Sequence, residues 1–319
     1  MGWPEHKVII LTVWDPARCY AVASWCRPLT EKHQVPAAMI GGEKGVSQLD
    51  LWGYFAVDGA NWKGTFAGPA GQAVGLYDRV LAYGEYGRKI LQPIAKPGVE
   101  VKVLPHILGS EFHLLSEGDK TGEVDHGLNL EDVTTTIGCV ATNQPRKDLG
   151  LFFEAAALVA EDVPINLWLH TDVLYRHWAI PELAETYGFN NTRLLVTTYL
   201  EPHKMNWMYN QCTLTVAPGL GEGFGYPIIE SLACGAPVIH GNYGGGKELL
   251  PDLLWSIDPV AYRTEGTYAL RRPVFDPNSL AAAIHAVLID LPNRQWCALQ
   301  VQHLTFNALT TRWHKWLLE

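Results

Sequence analysis

At 319 residues with 48% hydrophobic content, the chain is long enough for two ordinary domains with cores of their own. A formal net charge of −9 argues against a general electrostatic grip on nucleic acid or anionic lipid, so no stable nucleic-acid or membrane partner is expected. No stretch has the ~18 consecutive apolar residues needed to span a bilayer, and the short apolar run Val8–Trp14 lacks the basic flank and cleavage site of a signal peptide. These features place the protein in a cytoplasm, with a microbial or viral (phage) origin expected. Its six cysteines form no CxxC pair and sit mostly in apolar runs, as buried thiols do. The histidines show no close ligand spacing, so no metal site is expected.

In chain order, "KVIILTVW" reads as a strand and Ala17–Glu31 as a helix. Between Gly41 and Gly75 the sequence is rich in Gly and Trp and reads as loops around a short strand at "YFAVDG". "YDRVLAYG" is a strand feeding a helix near Glu85–Leu91, and "VEVKVLPHI" is another strand. The polar, acidic segment Ser116–Asp132, with three glycines, is the best linker. The pattern then restarts with strand "TTTIGCV", the amphipathic helix "DLGLFFEAAALVA", strands "INLWLH" and "RLLVTT", a short helix "KMNWMYNQ" and strand "LTVAPG". A helix "YPIIESLACG", a strand "PVIHG", a short helix "GKELL" and the run "LLWSID" follow. The tail holds the helices "NSLAAAIHAVLIDL" and "TTRWHKWLLE". Short strands alternating with helices indicate an α/β protein with parallel sheets, and two sequential Rossmann-like halves are expected.

The most informative stretch is "GLGEGFGYPIIESLACGAPVI", Gly219–Ile239. Pro227 suits a first helical turn and Gly235 a helix stop, which makes "GLGEGFG" a strand-to-helix turn. Such turns line the carboxyl edge of an open α/β sheet, where ligands bind. Gly221, Gly223 and Gly225 are expected to permit positive φ and close ligand approach. Free N–H groups and the helix dipole favour an anion such as diphosphate. Glu222 in the turn and Glu230 in the helix could each accept hydrogen bonds from vicinal hydroxyls, one on a sugar and one on a ribose. A plain glycine turn carrying two solvated acids is the competing reading.

"GEGFGYPIIESLACGAPVI" followed by "GGGKELL" resembles the donor-site signature of retaining GT-B glycosyltransferases of the family-four (glycosyl transferases group 1) type, with Ser231 at a position usually held by Ala. "IGCVATNQPRKDLGLFFEAAALV" is similar to that family's strand–loop–helix bearing Arg-Lys. "DRVLAYGEYGRKIL" with "VKVLPHILGSEF" resembles the end of its N-domain, and "GYFAVDG" a Tyr-x-x-x-Asp-Gly loop found in some members. The similarity is firm over about 133–290 and thin over 1–75.

The resemblance implies two Rossmann-like domains facing a cleft. A short acceptor-side domain would span 1–120, a nucleotide-sugar domain 133–300, and a C-terminal helix, 301–319, would return to the first domain. It implies that Arg146 and Lys147 hold the donor diphosphate, that Glu222 contacts donor-sugar hydroxyls or the β-phosphate, and that Glu230 binds the nucleotide ribose. Gly221, Gly223, Phe224, Gly225 and Tyr226 would line the donor site, with Tyr199 and Leu200 seating the base. Asp58 is the candidate on the acceptor side, or an ordinary Asp-Gly turn. His106, His170, His240 and Glu248 are candidate cleft-lining residues, each with a plain structural role as its competitor. Trp52, Tyr54, Trp62 and Tyr243 suit sugar or base stacking, although core packing fits most such residues.

The implied reaction is metal-independent, retaining transfer from a nucleotide-diphosphate sugar, with a UDP- or GDP-sugar as co-substrate and no other cofactor. The acceptor would be a glycan, lipid, protein or modified base. Three departures stand out: Thr142 and Asn143 where many relatives carry an upstream Arg, no Gly-Gly in "VWDPARCY", and a short N-domain. They keep a degenerate nucleotide-sugar-binding protein open, and a GT-B-type epimerase remains a further alternative.

Overall fold

A computed structural model describes residues 7–31, 48–124, 133–251, 255–266 and 268–318. Parts of the expected loop region after Gly41, of the Ser116–Asp132 linker and of the "LLWSID" run lie outside them. The chain divides into two compact units, Met1–Pro105 with Arg263–Arg272, and His106–Tyr262 with Pro273–Glu319.

The first unit strings β1 (Lys7–Trp14), α1 (Pro16–Glu31), β2 (Gln48–Phe55), α2 (Gly68–Val74), β3 (Arg79–Ala82), α3 (Glu85–Leu91) and β4 (Val101–Val103). Its strands pair in parallel in chain order, β1-β2-β3-β4. The strand expected at "YFAVDG" is earlier and longer, running over "QLDLWGYF" and ending at Phe55. Gln48, Asp50 and Gly53 dilute its apolar signal. A Cβ on Gly53 would lie 2.3 Å from the Phe55 ring, so the missing side chain is what lets that ring fold back over the strand. Phe55, Tyr77, Val80 and Leu91 then fill the core of this unit.

The second unit continues with β5 (Thr136–Val140), α4 (Leu149–Ala160), β6 (Asn166–His170), α5 (Ile180–Thr186), β7 (Leu194–Thr197), α6 (Pro202–Gln211), β8 (Leu214–Ala217), α7 (Tyr226–Ala233), β9 (Val238–Gly241) and β10 (Ser256–Ile257). A two-stranded sheet of β11 (Ala261–Glu265) and β12 (Leu270–Val274), most of it grouped with the first unit, follows, and the second unit resumes with α8 (Pro277–Ile289), α9 (Arg294–Gln300) and α10 (Phe306–Leu318). Six parallel strands lie in the order β10-β9-β8-β5-β6-β7. The unit's first and fourth strands, β5 and β8, are therefore neighbours, and the winding reverses between them. That reversal leaves a crevice at the carboxyl ends of the strands, where doubly wound sheets bind ligands.

The division falls after Pro105, ahead of the expected linker, so residues 106–120 belong to the second unit. The reason is polar anchoring to α6: the Asn206 and Asn210 side chains accept from the His113 and Leu115 N–H groups at 2.9 and 3.0 Å. Helix α10 is grouped with the second unit. The β11–β12 pair has no counterpart in the sequence reading, because "AYRTE" is polar and mostly solvent-facing and "LRRPV" carries two adjacent arginines and a proline in place of an apolar alternation.

Candidate active site

The crevice is walled by the segments that follow β5 and β8. After β5 the chain makes a short 3₁₀ turn, Pro145–Lys147, and Asp148 then starts α4 in the left-handed region at φ 39°, its carboxylate accepting from the Leu151 N–H. After β8 it runs through Gly219–Gly225 into α7. The two segments are tied together: the Leu220 N–H donates to the Arg146 carbonyl at 2.7 Å, and the Arg146 guanidinium donates to the Gly221 carbonyl at 3.0 Å. The Glu222 carbonyl accepts from the Gly245 N–H at 2.9 Å. A Cβ on Gly245 would stand 2.7 Å from the Gly223 carbonyl oxygen, so only glycine lets these strands of loop pack.

Of the three turn glycines, only Gly225 takes positive φ, at 115°; Gly221 and Gly223 do not, which corrects the expectation for them. The chain needs its sharpest turn only where it enters α7. Pro227 lies in the first turn of that helix and Gly235, φ 82°, follows its end, both as the sequence indicates. Ser231 does more than fill space: buried in α7, it receives the Thr215 hydroxyl at 2.7 Å and donates to the Ala236 carbonyl at 3.0 Å.

Lys147 and Glu222, both largely buried, form a direct ammonium–carboxylate hydrogen bond, and the Arg146 guanidinium lies 3.6 Å from the other Glu222 oxygen. Burial alone would raise the Glu222 carboxyl, but Lys147 and Arg146 outweigh it and hold it below the usual glutamate range. Two cations thus face one carboxylate, leaving a net positive charge for an anionic ligand. His240 is fully buried behind them; its Nδ1 donates to the Ala217 carbonyl at 2.6 Å, which leaves Nε2 as an acceptor with no partner. Burial lowers its pKa, so the ring is neutral.

A cavity of about 340 Å³ opens beside this cluster, lined by Thr142, Arg146, Lys147, His170, Thr198 and Pro227. His170 shares a 2.9 Å hydrogen bond with Thr197 and is kept neutral by burial. A larger cavity, about 700 Å³, lies past the other end of α7 near Ala233 and Leu114. Neither Arg146, Lys147 nor Glu222 borders it, so the smaller one is the candidate site.

Glu230, further along α7, accepts from the Tyr209 hydroxyl at 2.9 Å. Burial, reinforced by Glu111 and opposed by the Tyr209 bond, pushes its pKa up to about 7. Phe224, Tyr226 and His106 form an aromatic cluster: His106 stacks on Tyr226 at 5.2 Å and meets the Phe224 edge at 5.1 Å. Burial takes the His106 pKa down to about 4, so His106 packs as a neutral ring. Leu200 packs partly on the core beneath α6, whereas Tyr199 is 81% exposed. Glu248 is exposed on a 3₁₀ turn, Gly246–Leu249. Asp58 belongs to the first unit, where the Arg272 guanidinium pairs with its carboxylate at 3.2 Å and donates to its carbonyl.

Asn143 is the residue the sequence concealed. Fully buried, its amide donates to the Trp178 carbonyl at 2.8 Å and accepts from the Trp178 N–H at 2.9 Å, while its own N–H reaches Asp172. It locks the loop before Arg146 to the 171–178 loop across the cavity mouth. Its only sequence signal was its place in the stretch just before the Arg-Lys pair.

Residues 134–290 match the family model described as glycosyl transferases group 1. This part of the chain is a group 1 glycosyltransferase domain. The chain is 32% identical over 151 residues to the serotype-specific mannosyltransferase WbdA of Escherichia coli, covering 45% of this chain and 18% of that protein. It is 31% identical over 177 residues to D-inositol 3-phosphate glycosyltransferase of Rhodococcus jostii (strain RHA1), covering 53% of this chain and 39% of that one. The glycosyltransferase-like stretch thus spans well under half the length of these curated relatives. By fold, the chain is similar to Anabaena HepE, solved in complex with UDP and glucose, at TM-score 0.70 and 15% identity over 97% of this chain and 77% of that one. The architecture is that of the GT-B glycosyltransferases.

Proposed function

We propose that the protein transfers a sugar from a nucleoside-diphosphate sugar to an acceptor hydroxyl, with retention at the anomeric carbon and without a metal ion. The observation that carries this reading is the convergence of Arg146 and Lys147 on Glu222 at the point where the strand order reverses. Breaking the bond between anomeric carbon and phosphate oxygen loads negative charge on the leaving β-phosphate and positive character on the sugar. Donors aimed at that phosphate stabilise the transition state more than the ground state. Lys147, Arg146 and the N–H groups of Gly223–Gly225 fill that role. Glu222, already ionised by its two cations, is left to orient sugar hydroxyls, and Glu230 to receive those of the ribose.

In the reaction as we read it, the acceptor oxygen bonds to the anomeric carbon on the face the phosphate leaves. The acceptor proton passes to a phosphate oxygen, and nucleoside diphosphate departs. Mannosyltransferases among the relatives and UDP in the HepE complex are the reasons to test both GDP- and UDP-sugars. A thermal-shift screen with UDP-, GDP- and ADP-sugars tests the donor: at ~100 times its Kd a ligand stabilises by about 2.7 kcal/mol. Release of nucleoside diphosphate that survives EDTA, with an axial or equatorial product linkage matching the donor, is expected. Inertness toward every nucleotide sugar would overturn the reading.

A further inference from the structure

We propose that the segment Asp58–Thr65 is a preformed platform for a pyranose ring of the acceptor, with the indole of Trp62 as its stacking face. This deepens the glycosyltransferase reading by naming the acceptor class as a glycan, and it rests on that reading for the ring's role as acceptor. Trp62 is 75% exposed, which for so large an apolar ring forfeits the burial that would otherwise stabilise it. Its frame is nevertheless rigid. The Asn61 side chain accepts from the Lys63 and Thr65 N–H groups at 2.9 and 3.3 Å. The Asn61 backbone donates to the Thr65 carbonyl and accepts from the Gly64 N–H, both at 2.9 Å. Gly64 supplies the positive φ, 75°, that closes the turn.

Both ends of the segment are fixed as well. Val57 and Ala60 are buried and Phe66 packs on the core of the first unit. The Ala60 carbonyl accepts from the Arg271 N–H at 2.8 Å, and Arg272 clamps Asp58. A Cβ on Gly59 would sit 2.9 Å from the Arg272 guanidinium, so the Asp-Gly pair is shaped for that clamp. A backbone held this firmly adds little ordering cost when the exposed indole meets a ligand. Lys63 Nζ lies 5.3 Å from the ring centroid on one side, leaving the other face for the axial C–H groups of a sugar.

The test is ¹⁹F NMR on the full chain labelled with 5-fluorotryptophan, the Trp62 signal being assigned by Trp62→Phe. The probes are maltotriose, cellotriose and α-mannotriose, with UDP and GDP added separately. At least one trisaccharide should move the Trp62 signal, and by isothermal titration calorimetry on unlabelled protein Trp62→Ala should weaken that binding about tenfold while Trp62→Tyr retains it. Nucleotide affinity should be the same in all three proteins. Nucleotide binding with no trisaccharide response at Trp62 overturns the platform and spares the donor reading. A trisaccharide response without nucleotide binding does the reverse. A signal that moves instead with protein concentration or with lipid vesicles assigns the face to self-association or a membrane and also overturns the platform.

Discussion

Lys147 and Glu222 depend on each other in a way that shapes how either can be tested. Removing the cation alone strands a buried carboxylate, which costs roughly 3–5 kcal/mol. Lys147→Met should therefore lower both thermal stability and transfer, the latter by about 10²-fold or more. The double variant Lys147→Met/Glu222→Gln should recover most of the melting temperature and none of the transfer. Recovery of both would remove Lys147 from the reaction. The pair also sets an acid limit: the Glu222 carboxyl is held low in the fold, so its stabilising contribution is complete above the ordinary glutamate range and is lost as pH falls from that range through the lowered folded-state value.

Glu230 behaves oppositely. With its pKa raised to about 7, the folded protein takes up a proton there that the unfolded chain releases, so this contribution to stability fades as pH rises from about 4.5 to 7. Ribose hydroxyls donate to the ionised form. Nucleotide affinity should consequently rise with pH through about 7, by at most about tenfold per unit, and Glu230→Gln should flatten the profile. A profile unchanged by that variant would remove the ribose role.

At the level of elements, the loops around the crevice are held by backbone demands. Gly225→Ala would place a Cβ 3.0 Å from Ile228 at φ 115° and should destabilise by about 1–3 kcal/mol, read as a drop in melting temperature. Asn143→Ala leaves the Trp178 N–H without its acceptor and the Trp178 carbonyl with the Arg176 N–H alone, and should cost about 1–3 kcal/mol. It should also weaken nucleotide binding, because the loops before Arg146 and around Asp172 lose their common brace. A variant that binds nucleotide normally would limit Asn143 to stability. These elements divide what a sequence can reveal. The turn into α7 was legible because proline, glycine and acid occupy fixed offsets from the helix ends. The brace at Asn143 was not, since its partners lie some thirty residues on and no local pattern encodes them. The β11–β12 pair escaped for another reason: its strands lack the apolar alternation by which strands are recognised.

For the molecule as a whole, the parallel sheet order of the second unit could be anticipated from alternating strands and helices, and with it the position of the crevice. The extent of each unit could not, because His106–Leu115 is drawn to α6 by asparagine side chains and Arg263–Arg272 joins residues two hundred positions earlier. Asp58 shows the consequence, since its partner Arg272 has no sequence neighbour in common with it. Arg272→Ala should loosen residues 58–60, seen as faster amide exchange there, with α7 and its turn unaffected.

The most direct measurement is a crystal structure of the protein with a bound nucleoside diphosphate. The diphosphate should lie against Lys147, Arg146 and the Gly223–Gly225 N–H groups, with Glu230 reaching the ribose. A diphosphate bound away from that turn, with Lys147 still held only by Glu222, would contradict the account.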